Sequence, residues 1–358
     1  MYKSLSIQNF RGFDNLVVKD MAQVNLIAGK NNTGKTAFLE AVNVHACIYN
    51  DPLMSFHLNE RRGLPSRNPN RFPDSETPWT SLFYDFNGLY TIEISGRGAG
   101  AFGYTLLVRM VPQDEARREL AGFTEGGKDL IAVVGSPYTV LEVHCQTDLL
   151  PTKVWLISGP SATRRTISGT LPQIPCVFEE FGGHHTLQED AKRYTALLAQ
   201  SQDDLLLRAL RAVESRLDRL AMGVVVGEPL LHRAIKGGRP MPLFLMGDGM
   251  VRLYRTVLAI GAAANGIALI DEVENGLHYS ALNEIWRVIG EAARQFNVQV
   301  FATTHSFECI RAAHETFSSG DQYDFRLHRL DRVNGAIKAA TYDKETLTSA
   351  IESNFEVR

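Results

Sequence analysis

Residues 2–9 (YKSLSIQN) alternate apolar and polar positions, as a half-buried strand does. Phe10-Arg11-Gly12-Phe13 reads as a turn, with a second short strand near Leu16–Lys19. Val24–Ala28 is a compact apolar run ending at Gly29, the pattern of a buried strand feeding a tight loop. From Lys35 the spacing of Leu39, Val42, Ala46 and Tyr49 predicts a helix with one apolar face. Residues 50–80 mix Pro, Asn, Arg and Gly without a period, which predicts a long surface loop. Alternation returns at Leu89–Ser95, Tyr104–Met110, Ile131–Val134 and Thr139–Cys145, an expected antiparallel section, with a polar connection between Val111 and Lys128.

Thr186–Met222 reads as helical, with Leu206, Leu210, Val213, Leu217 and Leu220 on a short heptad-like seam. Two heptads suit a core-facing helix, and no long coiled-coil arm is present. Ile267–Ile270 is a further buried strand, followed by a helix with Leu282, Ile285, Trp286, Ile289 and Ala293 on one face. Val298–Ala302 leads into Thr303-Thr304-His305, and strands at Phe325–Leu330 and Ala336–Thr341 precede a short final helix. The expected fold is α/β: a mixed central sheet with an antiparallel β section and a helical subdomain. One domain, 1–358, divides into a lobe at 1–50, the loop and antiparallel section at 51–155, the helical subdomain at 156–245 and a second lobe at 246–358.

Composition narrows the function. A net charge of −3 argues against nucleic acid wrapped over the whole surface, while leaving room for a local basic groove. Four cysteines (Cys47, Cys145, Cys176, Cys309) stand far apart without CxxC spacing, and read as thiols of a reducing compartment. Apart from His184-His185, which reads as a surface loop, the histidines other than His305 offer no metal-ligand spacing. Without an apolar run of membrane-spanning length or a leader pattern, the expected setting is soluble and cytoplasmic.

The chemistry is concentrated in three places. Gly29-Lys30-Asn31-Asn32-Thr33-Gly34-Lys35-Thr36 fits G-x-x-x-x-G-K-[ST] without a departure, between a predicted strand and a predicted helix. Its glycines let backbone N–H groups turn inward onto phosphate oxygens, and the helix adds its positive end. Lys35 then meets the β- and γ-phosphates of ATP, and the Thr36 hydroxyl is a ligand for Mg²⁺. The strand Ile267–Ile270 ends in Asp271-Glu272. Asp271 is the second candidate Mg²⁺ residue, and Glu272 the base that polarises the attacking water. His305, after the next strand, is the candidate switch histidine at the γ-phosphate.

In this order the motifs resemble the ABC-type ATPases of the SMC and RecF group, and most of all the OLD (overcoming lysogenization defect) ATPases. Asn9-Phe10-Arg11-Gly12-Phe13 is similar to their N-terminal FRG motif, which brings Arg11 to the nucleotide. Glu272-Val273-Glu274-Asn275-Gly276-Leu277-His278 resembles the Walker B extension and D-loop, and Thr303-Thr304-His305-Ser306 the H-loop. The likeness spans the chain, although its middle third carries no sharp motif. Leu245-Met246-Gly247-Asp248-Gly249-Met250 stands where the family has a Ser-Gly-Gly signature, with Met246 in place of the serine. No glutamine stands out as that of a Q-loop.

The resemblance implies ATP hydrolysis in a head-to-tail dimer, with Gly247, Asp248 and Gly249 of one copy completing the site of the other. It also implies a role in phage defence or DNA maintenance, with DNA a possible ligand. No Asp-x-Asp pair occurs and the residues after His305 suffice only to finish the ATPase fold, so a TOPRIM nuclease is not expected here. A nuclease-like effector would be a separate polypeptide. The competing readings are the ATP-binding subunit of a transporter and a small-molecule kinase.

Overall fold

The computed structural model describes residues 1–47, 79–98, 102–125, 128–146, 152–159, 163–168, 174–180, 187–199, 201–225, 227–235 and 238–358. The loop expected at 50–80 lies outside the described residues up to position 78, as do Tyr49 and His184-His185.

Two large sheets organise these residues. The mixed sheet runs in the order Cys176–Glu179, Ile267–Ile270, Gln299–Thr304, Val24–Ala28, Phe325–Val333, Ala336–Tyr342. Its first five strands are parallel and the last closes an antiparallel hairpin. The second sheet is antiparallel throughout, in the order Thr163–Ser168, Thr152–Ser158, Thr139–Gln146, Thr105–Val111, Ile92–Gly98, Tyr2–Phe10, Phe13–Val18.

The helix Lys35–Cys47 lies between the sheets, and its side chains from Ala37 to Cys47 are all buried. Its neighbours include Leu5 and Ile7 of the antiparallel sheet and Ile27, Leu269 and Phe301 of the mixed sheet. The single apolar face expected for this helix is therefore too narrow an account, because it packs on both sides. On the far face of the mixed sheet lie the helices Leu187–Ala199, Asp203–Val213, Asp248–Ala262, Leu282–Gln295 and Phe307–Ser318. Covered on both faces, Val24–Ala28, Ile267–Ile270 and Gln299–Thr304 are buried at every position, as strands of a parallel sheet should be. Burying this sheet holds the strand ends, where the chemistry sits, in fixed register.

Two expectations fail for local reasons. The helix of Thr186–Met222 is two helices, Leu187–Ala199 and Asp203–Val213, followed by a strand Leu217–Val225. Arg211 donates to the carbonyls of Leu217 and Asp218 and so ties the helix end to the incoming strand. Leu217 is buried in the same core as Leu206 and Leu210, so the seam was a contact in space and not a helix period. Ile131–Val134 is helical, within Leu130–Val134, because the Asp129 carboxylate accepts from the N–H groups of Ile131 and Ala132 as an N-cap. The connection after Val111 also holds a helix, Gln113–Glu119. All four cysteines are free thiols.

Candidate active site

The phosphate loop leaves the buried strand at Ala28 with Gly29 at φ 149° and Gly34 at φ 89°. A Cβ at Gly34 would meet the Phe13 ring at 2.8 Å, and one at Gly29 would meet the Leu330 carbonyl oxygen at 2.5 Å. Both positions therefore require glycine on conformation and on space. Thr33 Oγ1 donates to Lys30 O at 2.9 Å and closes the loop from within. Lys35 Nζ arches back to donate to Gly29 O at 2.7 Å and Lys30 O at 3.0 Å, which places the ammonium at the loop mouth. Burial pulls this ammonium below its ordinary pKa, against the opposing field of Glu272, Asp271 and Glu274.

Two strands away, the acidic pair meets this loop. Thr36 Oγ1 donates to Asp271 at 3.0 Å (Oδ2), with Oδ1 at 3.3 Å. Thr303 Oγ1 donates to Asp271 Oδ1 at 2.5 Å and accepts from the backbone N–H of Glu272 at 2.7 Å. Glu272 stands in the left-handed region at φ 48°, a conformation that costs a non-glycine residue of order 1–3 kcal/mol. Asn275 Nδ2 donates to its carboxylate. Beneath the turn, the buried Arg252 donates to the carbonyls of Asp271, Glu272 and Glu180. Burial lowers the pKa of that guanidinium, opposed by the surrounding carboxylates.

Asn31, Asn32, Gly34, Lys35, Thr36, Asp271 and Glu272 line one cleft of about 440 Å³, within the range of small-molecule sites. Arg11 reaches the same cleft, but its guanidinium, 7% exposed, is committed to Glu40 Oε2 at 3.1 Å and Ser81 O at 2.8 Å. In this arrangement it braces the Phe10–Phe13 turn against the helix. His305 does not line the cleft. Its side chain is 47% exposed, with Nδ1 3.3 Å from Glu274 Oε1. The same oxygen accepts from the His305 backbone N–H at 3.0 Å and from Thr304 Oγ1 at 2.7 Å.

Gly247, Asp248 and Gly249 also lie away from the cleft. Gly249 packs on the Gly276 backbone, so close that an added Cβ would meet its carbonyl oxygen at 2.8 Å. Gly247, at φ 92°, faces open space. The structure thus groups Gly247–Gly249 with the Glu274–Leu277 segment of its own chain.

Several residues of the site had no role assigned from sequence, although Thr303, Glu274 and Asn275 lie within the quoted motifs. Thr303 was within reach, as the last polar residue but one before His305 on a strand that flanks the phosphate-loop strand. Arg252, Asn275 and Glu274 act through contacts that no spacing announces. Arg332 and Ile337 also line the cleft, and they come from the C-terminal hairpin.

Thr36 and Asp271 offer hard oxygen donors, the chemistry that suits Mg²⁺, which uses one or two protein ligands together with substrate phosphates. Among the described residues no group of three or more His, Cys, Asp or Glu forms a self-sufficient metal cage. No helix among them is long and apolar enough to cross a membrane.

Residues 1–46 match a family model described as "AAA ATPase domain", and residues 180–310 one described as "AAA domain, putative AbiEii toxin, Type IV TA system". An "ATP/GTP phosphatase" of Helicobacter pylori is 22% identical, covering 99% of this chain and 98% of that protein. An uncharacterized protein of Methanocaldococcus jannaschii is 31% identical over 115 residues, 32% of this chain and 90% of its own. A solved SMC head bound to the C-terminal winged-helix domain of ScpA aligns with a TM-score of 0.49 at 10% identity, covering 98% of this chain and 99% of that one.

Proposed function

We propose that this chain, an AAA-family ATPase of the SMC/RecF/OLD-like kind, hydrolyses ATP in the cleft between the phosphate loop and Asp271-Glu272, and works as a nucleotide-driven dimer clamp. The observation that carries the reading is the contact of Thr36 Oγ1 with Asp271 Oδ2 at 3.0 Å. It joins the two donors that a triphosphate-bound Mg²⁺ needs, beside the Lys35 ammonium. The matched ATPase families and the nucleoside-triphosphate activity in the name of the Helicobacter pylori relative support it.

The backbone N–H groups of Gly29–Thr36 hold the phosphates, and Lys35 neutralises the β- and γ-oxygens. Bound at Thr36 and Asp271, Mg²⁺ would supply positive charge to the leaving group and the γ-phosphoryl oxygens. Thr303 fixes the Asp271 carboxylate through Oδ1. Glu272, oriented by Asn275, takes the proton from the attacking water. Glu274 holds His305 outside the cleft, from where it would follow the γ-phosphate on closure.

Gly247–Gly249 would complete the site of a second copy, since they do not line their own cleft. The two backbone N–H groups and the positive end of the helix Asp248–Ala262 suit a γ-phosphate. Residues 1–358 would then be one catalytic domain whose four segments close together. The toxin–antitoxin description of the matched family supports a defence setting. Phosphate release by the purified chain tests the reading. Mg²⁺-dependent turnover that disappears in Glu272→Gln supports it, and turnover unchanged by that substitution refutes it.

A further inference from the structure

We propose that Arg332 is the platform on which the nucleobase stacks, and so the contact that binds the nucleoside end of the ligand. The assignment rests on reading the cleft as a nucleotide site. The strand Phe325–Val333 runs parallel to the phosphate-loop strand, with Arg329 opposite Ala28. It then continues beside the loop, since Leu330 O blocks any Cβ at Gly29. Two residues further on, Arg332 pairs with Ile337 of the returning strand. Directly paired residues share a face, and both line the cleft.

The sheet order decides which end of the nucleotide they meet. On one side of the phosphate-loop strand lie Gln299–Thr304 and Ile267–Ile270, which deliver Thr303 and Asp271 to the metal and γ-phosphate end. On the other side lies Phe325–Val333. A nucleotide with its γ-phosphate at Asp271 therefore extends its nucleoside toward Arg332.

The side chain suits that end. Arg332 is exposed, and among the described residues it has no carboxylate partner. Its Nη1 donates to Gly335 O at 3.1 Å, which braces the guanidinium across a tight turn with Asn334 at φ 52° and Gly335 at φ 85°. Ile337, 4% exposed, supplies an apolar floor beside Gly12 and Gly34. A braced, planar, weakly hydrated cation over an apolar floor is a good partner for the π-face of a base. Stacking reads the face and not the edge, so adenine and guanine should gain alike.

Calorimetric titration of the full chain with ATP, GTP and inorganic tripolyphosphate, each with Mg²⁺, tests the assignment in wild type and Arg332→Ala. The expected result is a loss of about tenfold in affinity for both ATP and GTP, with tripolyphosphate binding retained. Unchanged ATP affinity would overturn the platform. So would an equal loss for tripolyphosphate, which would make Arg332 a phosphate contact or mark a damaged site. A wild-type chain that binds none of the three overturns the cleft reading itself and the platform with it.

Discussion

Thr36 Oγ1 lies 3.0 Å from Asp271 Oδ2, although 235 positions separate the two residues in the chain. Parallel pairing brings them together: Val24–Ala28 and Ile267–Ile270 both border Gln299–Thr304 and all three strands end at the same edge. That edge is where an open parallel sheet offers its loops to a ligand.

Lys35→Ala should abolish measurable ATP binding, because the polyphosphate loses the cation at the loop mouth. The wild-type ammonium is held by two loop carbonyls, so its removal also loosens Gly29 and Lys30. Titration with a fluorescent ATP analogue checks this, and an affinity within a few-fold of wild type would discard the phosphate-loop assignment.

Gly247→Trp should leave ATP binding near the wild-type level and stop turnover. A Cβ there meets nothing within 4 Å in its own chain, although φ 92° and ψ 157° make any side chain strained by about 1–3 kcal/mol. Its effect should fall on a second copy. Mixtures with Lys35→Ala protein contain hybrid dimers with one unaltered site and one carrying both lesions. Activity of the mixture above either parent supports shared sites, whereas full turnover by Gly247→Trp alone would reduce the segment to an ordinary turn.

Acid should destabilise the fold before its carboxylates are widely protonated. Burial holds His45 at about 4 and His328 at about 3, below the ordinary histidine value. The unfolded chain then binds more protons than the folded one, so stability is fully present above about pH 6.5 and falls as pH drops below it. Each histidine should cost roughly 2 kcal/mol by pH 5. Both imidazoles are hydrogen-bonded in their neutral form, His45 to Tyr2 and His328 to Thr341 and Asn25. Urea midpoints at pH 7.5 and pH 5.0 measure the loss, and His328→Asn should show a smaller drop. Equal midpoints at the two pH values would contradict the assignment.

The legible parts of this molecule are those in which one short segment does one job. Gly29–Thr36 carries its own backbone demands, and an apolar strand ending in Asp271-Glu272 has few other uses beside such a loop. The illegible parts depend on partners distant in sequence. Leu217 and Leu220 kept a helix-like spacing after the helix had ended, because they fill a core built by other elements. Arg11 stands in a motif, but its contacts with Glu40 and Ser81 come from elements that the motif does not include. Arg332 belongs to no motif at all; only the register of Arg329 against Ala28 carries it to the cleft.

The central claim is that ATP bound at this cleft closes two copies of the chain and that Glu272 reopens them by hydrolysis. Glu272→Gln keeps the size and shape of the side chain and removes its basicity, so closed dimers should accumulate. Light scattering of this variant with saturating ATP and Mg²⁺ measures that directly. A mass twice that of the chain, returning to the monomer value when ATP is replaced by ADP, is the predicted result; a variant that binds ATP to saturation and stays monomeric would contradict the account.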